Sequence, residues 1–431
     1  MSTSENRIFA LDYDQHDFAN GLRLITVPAP YPNVISMYIV VAAGSRNEVE
    51  PGRTGFAHFF EHMMFRGTPD FPPHRYEAVL QETGASSNAY TDDDRTVYHT
   101  TFTKEDFETI VAMEADRFQN LQYSVEDFRT EALAVYGEYN KDSAEPLHKM
   151  FEVLRDTAFD VHTYKHTTMG FLRDIVEMPN MYEYSRLFFD RFYRPEYCII
   201  VVVGDITPAA SRDVVERYWG AWKRGSYRAE IPVEPAPQGA RERTIDWETP
   251  TLPYVMIAFR AAAYSDSAVD APALDLVSFL GFSENSELYR KLVLEEQKVD
   301  VLYSSNADHV DPYLFTVLTR VKNPADVQAV RESILDRLRR FAAEPVPLEE
   351  LEKVKKHLRY RFALGMNHSE AIASTLAHYV SLRRTPETIN RLYRTYEALT
   401  PADLQSVSSR YFHDSGRTIV TLAHRGAGVD A

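Results

Sequence analysis

The sequence has a single cysteine and no long hydrophobic run. Cys198 opens the apolar run 198–203, which is typical of a buried strand, and it has no second cysteine for an internal disulfide. No stretch of about 18 apolar residues occurs, so the sequence predicts no membrane span. The first residues contain no apolar segment of a signal peptide. We therefore expect a cytoplasmic protein, or a periplasmic one if a leader has been removed.

Basic residues are also scarce relative to acidic ones. There are 47 Lys and Arg against 63 Asp and Glu, which gives a formal net charge of -16. Nucleic-acid binding would need a basic face, so this balance argues against that class of protein. It is compatible with basic peptides as ligands, although surface acids also serve solubility. A chain of 431 residues, 44% of them hydrophobic, is long enough for two globular domains.

The most informative stretch is residues 55–68, which contains the pattern His58-x-x-Glu61-His62. On a helix, residues four apart are separated by about one turn, so both histidines project from one face. They can then bind one metal ion, and Glu61 points to the same side. Neutral imidazole suits zinc, and a carboxylate beside a zinc-bound water can accept its proton. The remaining helix surface is apolar, with Phe59, Phe60, Met63, Met64 and Phe65.

A histidine pair with this spacing also occurs by chance on apolar helices, where it is structural. The intervening glutamate argues against that interpretation here, because an unpaired buried carboxylate is costly. The order of the residues is that of the inverted zinc-peptidase motif. We therefore predict one Zn²⁺ per chain, bound by His58 and His62, with Glu61 as the general base.

A zinc site with an open position needs a third protein ligand. Glu131 and Glu138 lie within residues 130–140 and are seven residues apart, so on a helix both face the same way. One can bind the metal while the other orients a histidine or the ligand carboxylate. From spacing alone, two solvated acids on a helix rich in acids are an equally good interpretation.

These stretches resemble the inverted-zinc peptidases of the family that includes pitrilysin, insulin-degrading enzyme and mitochondrial processing peptidase. Residues 20–24, 84–91 and 193–206 also fit the family's pattern, so the resemblance covers nearly the whole chain. The family's third ligand is a glutamate about 76 residues beyond the second histidine, with another important glutamate seven residues before it. The resemblance thus implies Glu138 as a metal ligand and Glu131 as the acid that supports the ligands.

The hydrophobic pattern predicts two domains of similar fold. Residues 223–245, which hold three prolines, are the predicted linker between a zinc-binding catalytic domain, 1–222, and a second domain, 246–431. The second domain repeats the strand pattern but has Asp275 and no histidine where the motif helix would stand. We predict an α+β class for each domain, a largely antiparallel sheet with helices packed on one face. The resemblance implies that the two enclose a cavity.

Residues 84–102 alternate like a strand, but their polar start and three consecutive aspartates make them a poor central strand. An edge strand would leave backbone groups free to pair with an extended peptide. The resemblance implies that role, with Asn88 and Ala89 near the substrate backbone. An ordinary hairpin edge capped by charge is the alternative. We interpret His162 and His166 as exposed loop histidines and not as a second metal site.

In the family, the second domain of a self-sufficient enzyme supplies an arginine and a tyrosine seven residues apart, which help to bind substrate and stabilise the oxyanion. In the ungapped register these positions are Val293 and Asp300. A valine donates no hydrogen bond, and an aspartate would repel a developing oxyanion. Arg290 and Tyr303 are thirteen residues apart and do not restore the pair. The chain therefore resembles the zinc-bearing half of a heterodimer whose homologous partner chain supplies the Arg/Tyr pair.

The predicted function is that of a zinc endopeptidase subunit that hydrolyses peptides in an enclosed chamber. The alternative is a non-catalytic structural or peptide-binding subunit of related fold. Structural relatives of this kind typically have a degraded zinc motif. All the motif residues are present here, which favours the enzyme.

Overall fold

A computed structural model of the protein describes residues 7–424, which form two β-sheets and the helices around them. The strands are β1 (Asp14–Asp17), β2 (Arg23–Pro28), β3 (Val34–Val41), β4 (Ser86–Thr91), β5 (Thr96–Thr103), β6 (Cys198–Gly204), β7 (Arg241–Trp247), β8 (Tyr254–Arg260), β9 (Val299–Asn306), β10 (Leu314–Val321) and β11 (Arg417–His424).

The helices are α1 (Phe56–Met63), α2 (Pro73–Glu82), α3 (Phe107–Asn120), α4 (Val125–Asp142), α5 (Pro146–Ala158), α6 (Leu172–Glu177), α7 (Tyr182–Phe192), α8 (Pro208–Trp219), α9 (Asp270–Phe282), α10 (Glu287–Tyr289), α11 (Val327–Ala343), α12 (Leu348–Gly365), α13 (Ser369–Arg383), α14 (Glu387–Ala398) and α15 (Pro401–Tyr411). Within residues 7–424, no helix has the length and hydrophobicity that a membrane crossing requires.

The first sheet has six strands in the order β1-β2-β6-β3-β5-β4. Neighbouring strands are antiparallel except for β2 and β6. Strand β6 is buried along its whole length, as its apolar sequence predicts for a strand covered on both faces. The polar strand β4 lies at an edge, but residues 84–102 form a hairpin of β4 and β5 with the three aspartates in its turn, as the alternative of a hairpin edge describes.

The second sheet has five strands in the order β7-β11-β8-β10-β9, and here only β7 and β11 are parallel. This order and these directions match β2-β6-β3-β5-β4 of the first sheet. The chain therefore uses one topology twice. The predicted α+β class with largely antiparallel sheets is confirmed.

The first sheet carries helices on both faces, so the prediction of helices on one face is incomplete. Ile35 and Met37 of β3 face the core that contains α1. Ser36, between them, points to the other face, where its hydroxyl lies 3.0 Å from that of Ser369 on α13. The second face is covered because the central strands are apolar on both sides and would otherwise expose that surface to water.

The second sheet is built in the same way. Val255 and Ile257 of β8 lie in the main core of this sheet, with α9 and α11. Met256 and Ala258 face the other side, where α5 packs through Met150 and its neighbours. The helix on this second face again comes from a distant part of the sequence.

The two compact units are consequently not contiguous along the chain. The first combines the chain up to Lys141 with His166–Pro232 and Phe362–Thr388, and the second combines Asp142–Lys165, Val233–Arg361 and the chain from Ile389 onward. Helix α13 therefore belongs with the first sheet and α5 with the second. The division into 1–222, 223–245 and 246–431 stays a prediction. It is based on the order of the strands along the chain and does not account for the placement of α5 and α13.

The prediction of exposed loop histidines is wrong, because His162 and His166 are each only 3% exposed. His162 Nε2 lies 3.0 Å from Asp311 Oδ2 in the second unit. His166 Nδ1 lies 3.7 Å from Glu48 Oε2 in the first. Each ring is thus buried beside a carboxylate, and the two belong to different compact units.

Asp275 on α9 is a buried acid in the second unit. Asn306 Nδ2 donates a hydrogen bond of 2.9 Å to Asp275 Oδ1, and the Tyr396 hydroxyl donates to Oδ2. Burial, with a smaller effect of Asp308, raises the pKa of Asp275 well above its usual value. The folded protein thus keeps this acid protonated at pH values where the unfolded chain has already ionised it.

We predict that Asp275→Asn, which resembles the protonated acid, stabilises the protein at pH 8 but has little effect at pH 4. The raised pKa contributes stability below about pH 4, the unfolded value, and that contribution is lost as pH rises toward the folded value. At pH 8 the melting temperature should exceed that of wild type by about 1–2 °C per kcal/mol recovered, since the shift becomes smaller as the chain becomes longer. Thermal denaturation at both pH values is the measurement, and a difference in melting temperature that is the same at both would contradict it.

Candidate metal centre

Helix α1 is held by its aromatic face. Phe56, Phe59 and Phe60 are fully buried in the core of the first unit. The Tyr98 hydroxyl donates a hydrogen bond of 3.0 Å to the carbonyl oxygen of Phe60, which fixes the helix against β5. The opposite face of the helix carries the motif residues His58, Glu61 and His62.

Helix α4 brings the third ligand candidate to this face. Glu138 Oε2 lies 3.7 Å from His58 Nε2 and 3.4 Å from His62 Nε2, and the two Nε2 atoms are 3.3 Å apart. Tetrahedral zinc with bonds of about 2.0–2.1 Å holds its ligand atoms about 3.3 Å from one another. The three atoms therefore fit one such ion. Within residues 7–424, no other set of three His, Cys, Asp or Glu side chains clusters closely enough for a metal.

Glu131 lies behind the second histidine and not in the ligand set. His62 Nδ1 donates to Glu131 Oε1 at 3.1 Å, so Nε2 keeps its lone pair for a metal. This hydrogen bond is the main reason that the pKa of His62 is raised. Burial alone would raise the pKa of Glu131, but hydrogen bonds from His62 and Arg66 lower it below its usual value.

His58 occupies a different environment. Burial, reinforced by the neighbouring His62, lowers the pKa of His58 to about 4, so its ring is neutral at physiological pH. A neutral ring is the form that binds a metal. Its Nδ1 is buried and has no hydrogen-bond partner within the described part of the chain.

Glu61 lies on the same helix face, partly buried, but its carboxylate is outside the cluster of three ligand atoms. Burial is the main cause of the raised pKa of Glu61. A carboxylate with a raised pKa is a stronger base than a solvated one. The three acidic side chains therefore occupy different positions. Glu138 lies beside both histidines, Glu131 contacts the Nδ1 side of the His62 ring, and Glu61 is not one of the three ligand candidates.

Arg66 is a residue of the site that the sequence pattern did not reveal. Its Nε donates to Glu131 Oε2 at 2.6 Å, and its Nη2 forms an ion pair with the same oxygen. Arg66 thus holds the carboxylate that orients His62. The signal was present, because Arg66 follows His62 by four residues and a helix places it on the same side.

The proposed substrate-binding residues lie on the edge strand β4. Asn88 and Ala89 pair with His99 and Tyr98 of β5, and β4 has no strand on its other side in the described sheet. The Ala89 N–H donates to Asn88 Oδ1 at 2.9 Å. An extended peptide that used this N–H would have to displace the Asn88 side chain.

Neither position expected for the family's Arg/Tyr pair offers a hydrogen-bond donor in the second unit. Val293 packs against the hydrophobic core. Asp300 on β9 forms a two-bonded ion pair with Arg320 of β10, with distances of 2.7 and 2.8 Å. Arg290 begins a π-helical segment, Arg290–Glu295, and Tyr303 is 59% exposed on β9.

Two family descriptions match the chain. Residues 23–171 match Insulinase (Peptidase family M16), and residues 182–358 match the Peptidase M16 inactive domain. Zinc protease PqqE of Helicobacter pylori is 25% identical over 411 residues, which cover 94% of this chain and 91% of that protein. A probable mitochondrial-processing peptidase subunit beta of Schizosaccharomyces pombe is 24% identical, covering 92% of this chain and 88% of that one.

Solved structures show the same fold. The crystal structure of a protease from Helicobacter pylori superimposes with a TM-score of 0.89 over 96% of this chain and 99% of that chain, at 24% identity. A putative M16-like peptidase from Alicyclobacillus acidocaldarius gives a TM-score of 0.84 over 96% and 98%, at 17% identity. With both family descriptions matched in order along the sequence, the chain belongs to the insulinase family of peptidases, family M16.

Proposed function

We propose that this chain is the zinc-bearing subunit of an endopeptidase. The observation that carries the proposal is the cluster of His58, His62 and Glu138, whose ligand atoms are 3.3–3.7 Å apart. A further acid, Glu61, lies on the same helix as the two histidines. Bound there, zinc would act as a Lewis acid and lower the pKa of a water. Relatives named zinc protease and mitochondrial-processing peptidase support peptides as the substrate class.

In this proposal, each group of residues near the metal has a separate role. Glu61 accepts the proton of the attacking water and returns it to the leaving nitrogen of the peptide. Glu131 and Arg66 keep His62 in one tautomer and one orientation. The open edge of β4, at Asn88 and Ala89, pairs with the peptide backbone and presents an extended segment.

We further propose that the active form is a heterodimer with a homologous chain. The support is the chemistry of Val293 and Asp300, one packed in a core and the other paired with Arg320, so that neither stabilises an oxyanion. One relative is named as the beta subunit of a mitochondrial-processing peptidase, and this name describes it as one part of an assembly. Enclosure of the peptide in a chamber is the accompanying expectation.

A non-catalytic structural or peptide-binding subunit is the competing function. It would use the open edge of β4 without needing the metal cluster. Both histidines of α1 lie together with Glu138 and the Glu131–Arg66 pair. This grouping favours the enzyme, because peptide binding alone gives no reason for it.

The first prediction from the proposed function concerns the metal. Wild type should bind one zinc per chain, and His62→Ala should lose stoichiometric zinc because it removes one of three protein ligands. Glu131→Gln should retain zinc with about 10–100-fold weaker affinity, since it perturbs the orientation of His62 and removes no ligand. Metal analysis and chelator competition give both values, with His74→Ala on the exposed face of α2 as the control. Full zinc occupancy of His62→Ala would contradict the assignment of His62 as a ligand.

The second prediction separates base from ligand. Glu61→Gln keeps the shape of the side chain but removes its basicity, so it should hold zinc like wild type and cleave peptides about 10²–10⁴-fold more slowly. The exposed Glu77→Gln on α2 is the matched control. Cleavage of a quenched fluorescent peptide by the complete assembly is the readout. Turnover near that of wild type would refute the role of Glu61.

The third prediction concerns the partner. The isolated chain should be a weak peptidase, because loss of one oxyanion donor typically costs about 10²–10³ in rate. Adding a homologous chain that carries the Arg/Tyr pair should restore cleavage of basic and mixed peptides. Changing that chain's arginine and tyrosine to alanine should remove the gain. Full activity of the isolated chain, or a partner indifferent to those changes, would contradict the heterodimer.

A further inference from the structure

The helix that carries the histidines begins without a capping side chain. Its N-cap is Gly55, in the left-handed conformation with φ of 91°, so no side-chain oxygen can accept from the first backbone N–H groups. Glycine is required at this position. A Cβ atom there would lie 2.8 Å from the carbonyl oxygen of Met169, closer than such contacts allow.

A residue outside the helix supplies the missing acceptors. Glu48 Oε2 accepts from the Gly55 N–H at 2.8 Å, and Oε1 accepts from the Ala57 N–H at 2.7 Å. The side chain of Glu48 is completely buried, with His166 Nδ1 at 3.7 Å. Burial raises the pKa of Glu48 to about 8, against the effect of these N–H groups, which lower it.

The turn that Glu48 holds is the turn that carries His58. The ring of His62 is oriented directly, by its hydrogen bond to Glu131. His58 has no such support, because its Nδ1 lacks a hydrogen-bond partner among residues 7–424. The direction of its Nε2 therefore depends on the packing of its ring and on the backbone of the first turn.

We propose that Glu48 is a positioning residue for the metal centre: by capping the first turn of α1, it fixes the direction of His58 as Glu131 fixes that of His62. This inference rests on the proposed zinc site. It predicts that the two ligating histidines are supported by two unrelated carboxylates, one through the helix backbone and one through the ring.

The test compares Glu48→Gln with a matched variant, Glu196→Gln. The glutamine keeps one acceptor oxygen and sets an amide donor against a backbone N–H, so one buried hydrogen bond is lost. Glu196 lies in the same compact unit, its side chain is 4% exposed, and it accepts from the Gly225 N–H at 3.2 Å. We expect zinc affinity to fall about tenfold in Glu48→Gln, the lower end of the loss that follows when a residue orienting a metal ligand is changed, and to stay within about twofold in Glu196→Gln.

Two further readouts distinguish positioning from general destabilisation. Cobalt(II) bound in place of zinc should show an altered visible spectrum in Glu48→Gln but not in Glu196→Gln. In a His58→Ala background, Glu48→Gln should weaken residual zinc binding no further. Unchanged zinc affinity and cobalt spectrum, or equal losses of affinity in the two glutamine variants, would overturn the inference.

A measurement on wild type covers the case in which Glu48→Gln does not fold. In the metal-free protein, the amide hydrogens of Gly55 and Ala57 should exchange slowly, like those of the helix interior. Exchange as fast as in an exposed loop would show that Glu48 does not hold the turn. If wild type itself binds no zinc, the proposed function fails, whereas tight zinc binding that is indifferent to Glu48 defeats only this inference.

Discussion

The packing of aromatic side chains between α1 and α4 is the interaction on which the metal centre depends. Phe59 on α1 and Phe128 on α4 are both fully buried, with ring centroids 5.1 Å apart. Phe128 precedes Glu131 by three residues, so the contact that joins the helices also brings the acidic face of α4 to the histidines. The hydrophobic effect thus sets the separation of the two helices. The histidines of α1 and the acids of α4 are brought close by this packing and not by their own attraction.

Within that geometry, small differences in environment give similar side chains different properties. Burial lowers the pKa of His58, whereas a carboxylate partner raises that of His62. Burial also raises the pKa of Glu61, whereas two donors lower that of Glu131. Within one site the same residue type thus has a raised pKa at one position and a lowered pKa at another, and the proposed roles of base and supporting anion rest on this difference.

Sequence reasoning was most successful where the pattern is local. The spacing of His58, Glu61 and His62 on one helix predicted their common face, and the polar alternation of β4 predicted an edge strand. The cluster with Glu138 needed the family resemblance, because two acids seven residues apart say nothing about which helix they meet.

The features that were missed depend on distant contacts. Ser36 meets Ser369 from 333 residues away, and no periodicity in β3 shows which helix will cover its second face. The burial of His162 beside Asp311 likewise depends on a segment far along the chain. Glu48 belongs to the same class: its position in a polar loop suggests exposure, and only the folded chain places it beneath a helix whose glycine cap has no side chain.

The central claim is that His58, His62 and Glu138 bind one zinc ion and leave a position open for water. Zinc-edge anomalous diffraction from crystals of the zinc-loaded protein tests it most directly. The account predicts one anomalous peak per chain, with these three side chains at about 2.0–2.1 Å and a water as the fourth ligand. A peak at any other site, or a zinc ion bound by four protein ligands with no place for water, would contradict it.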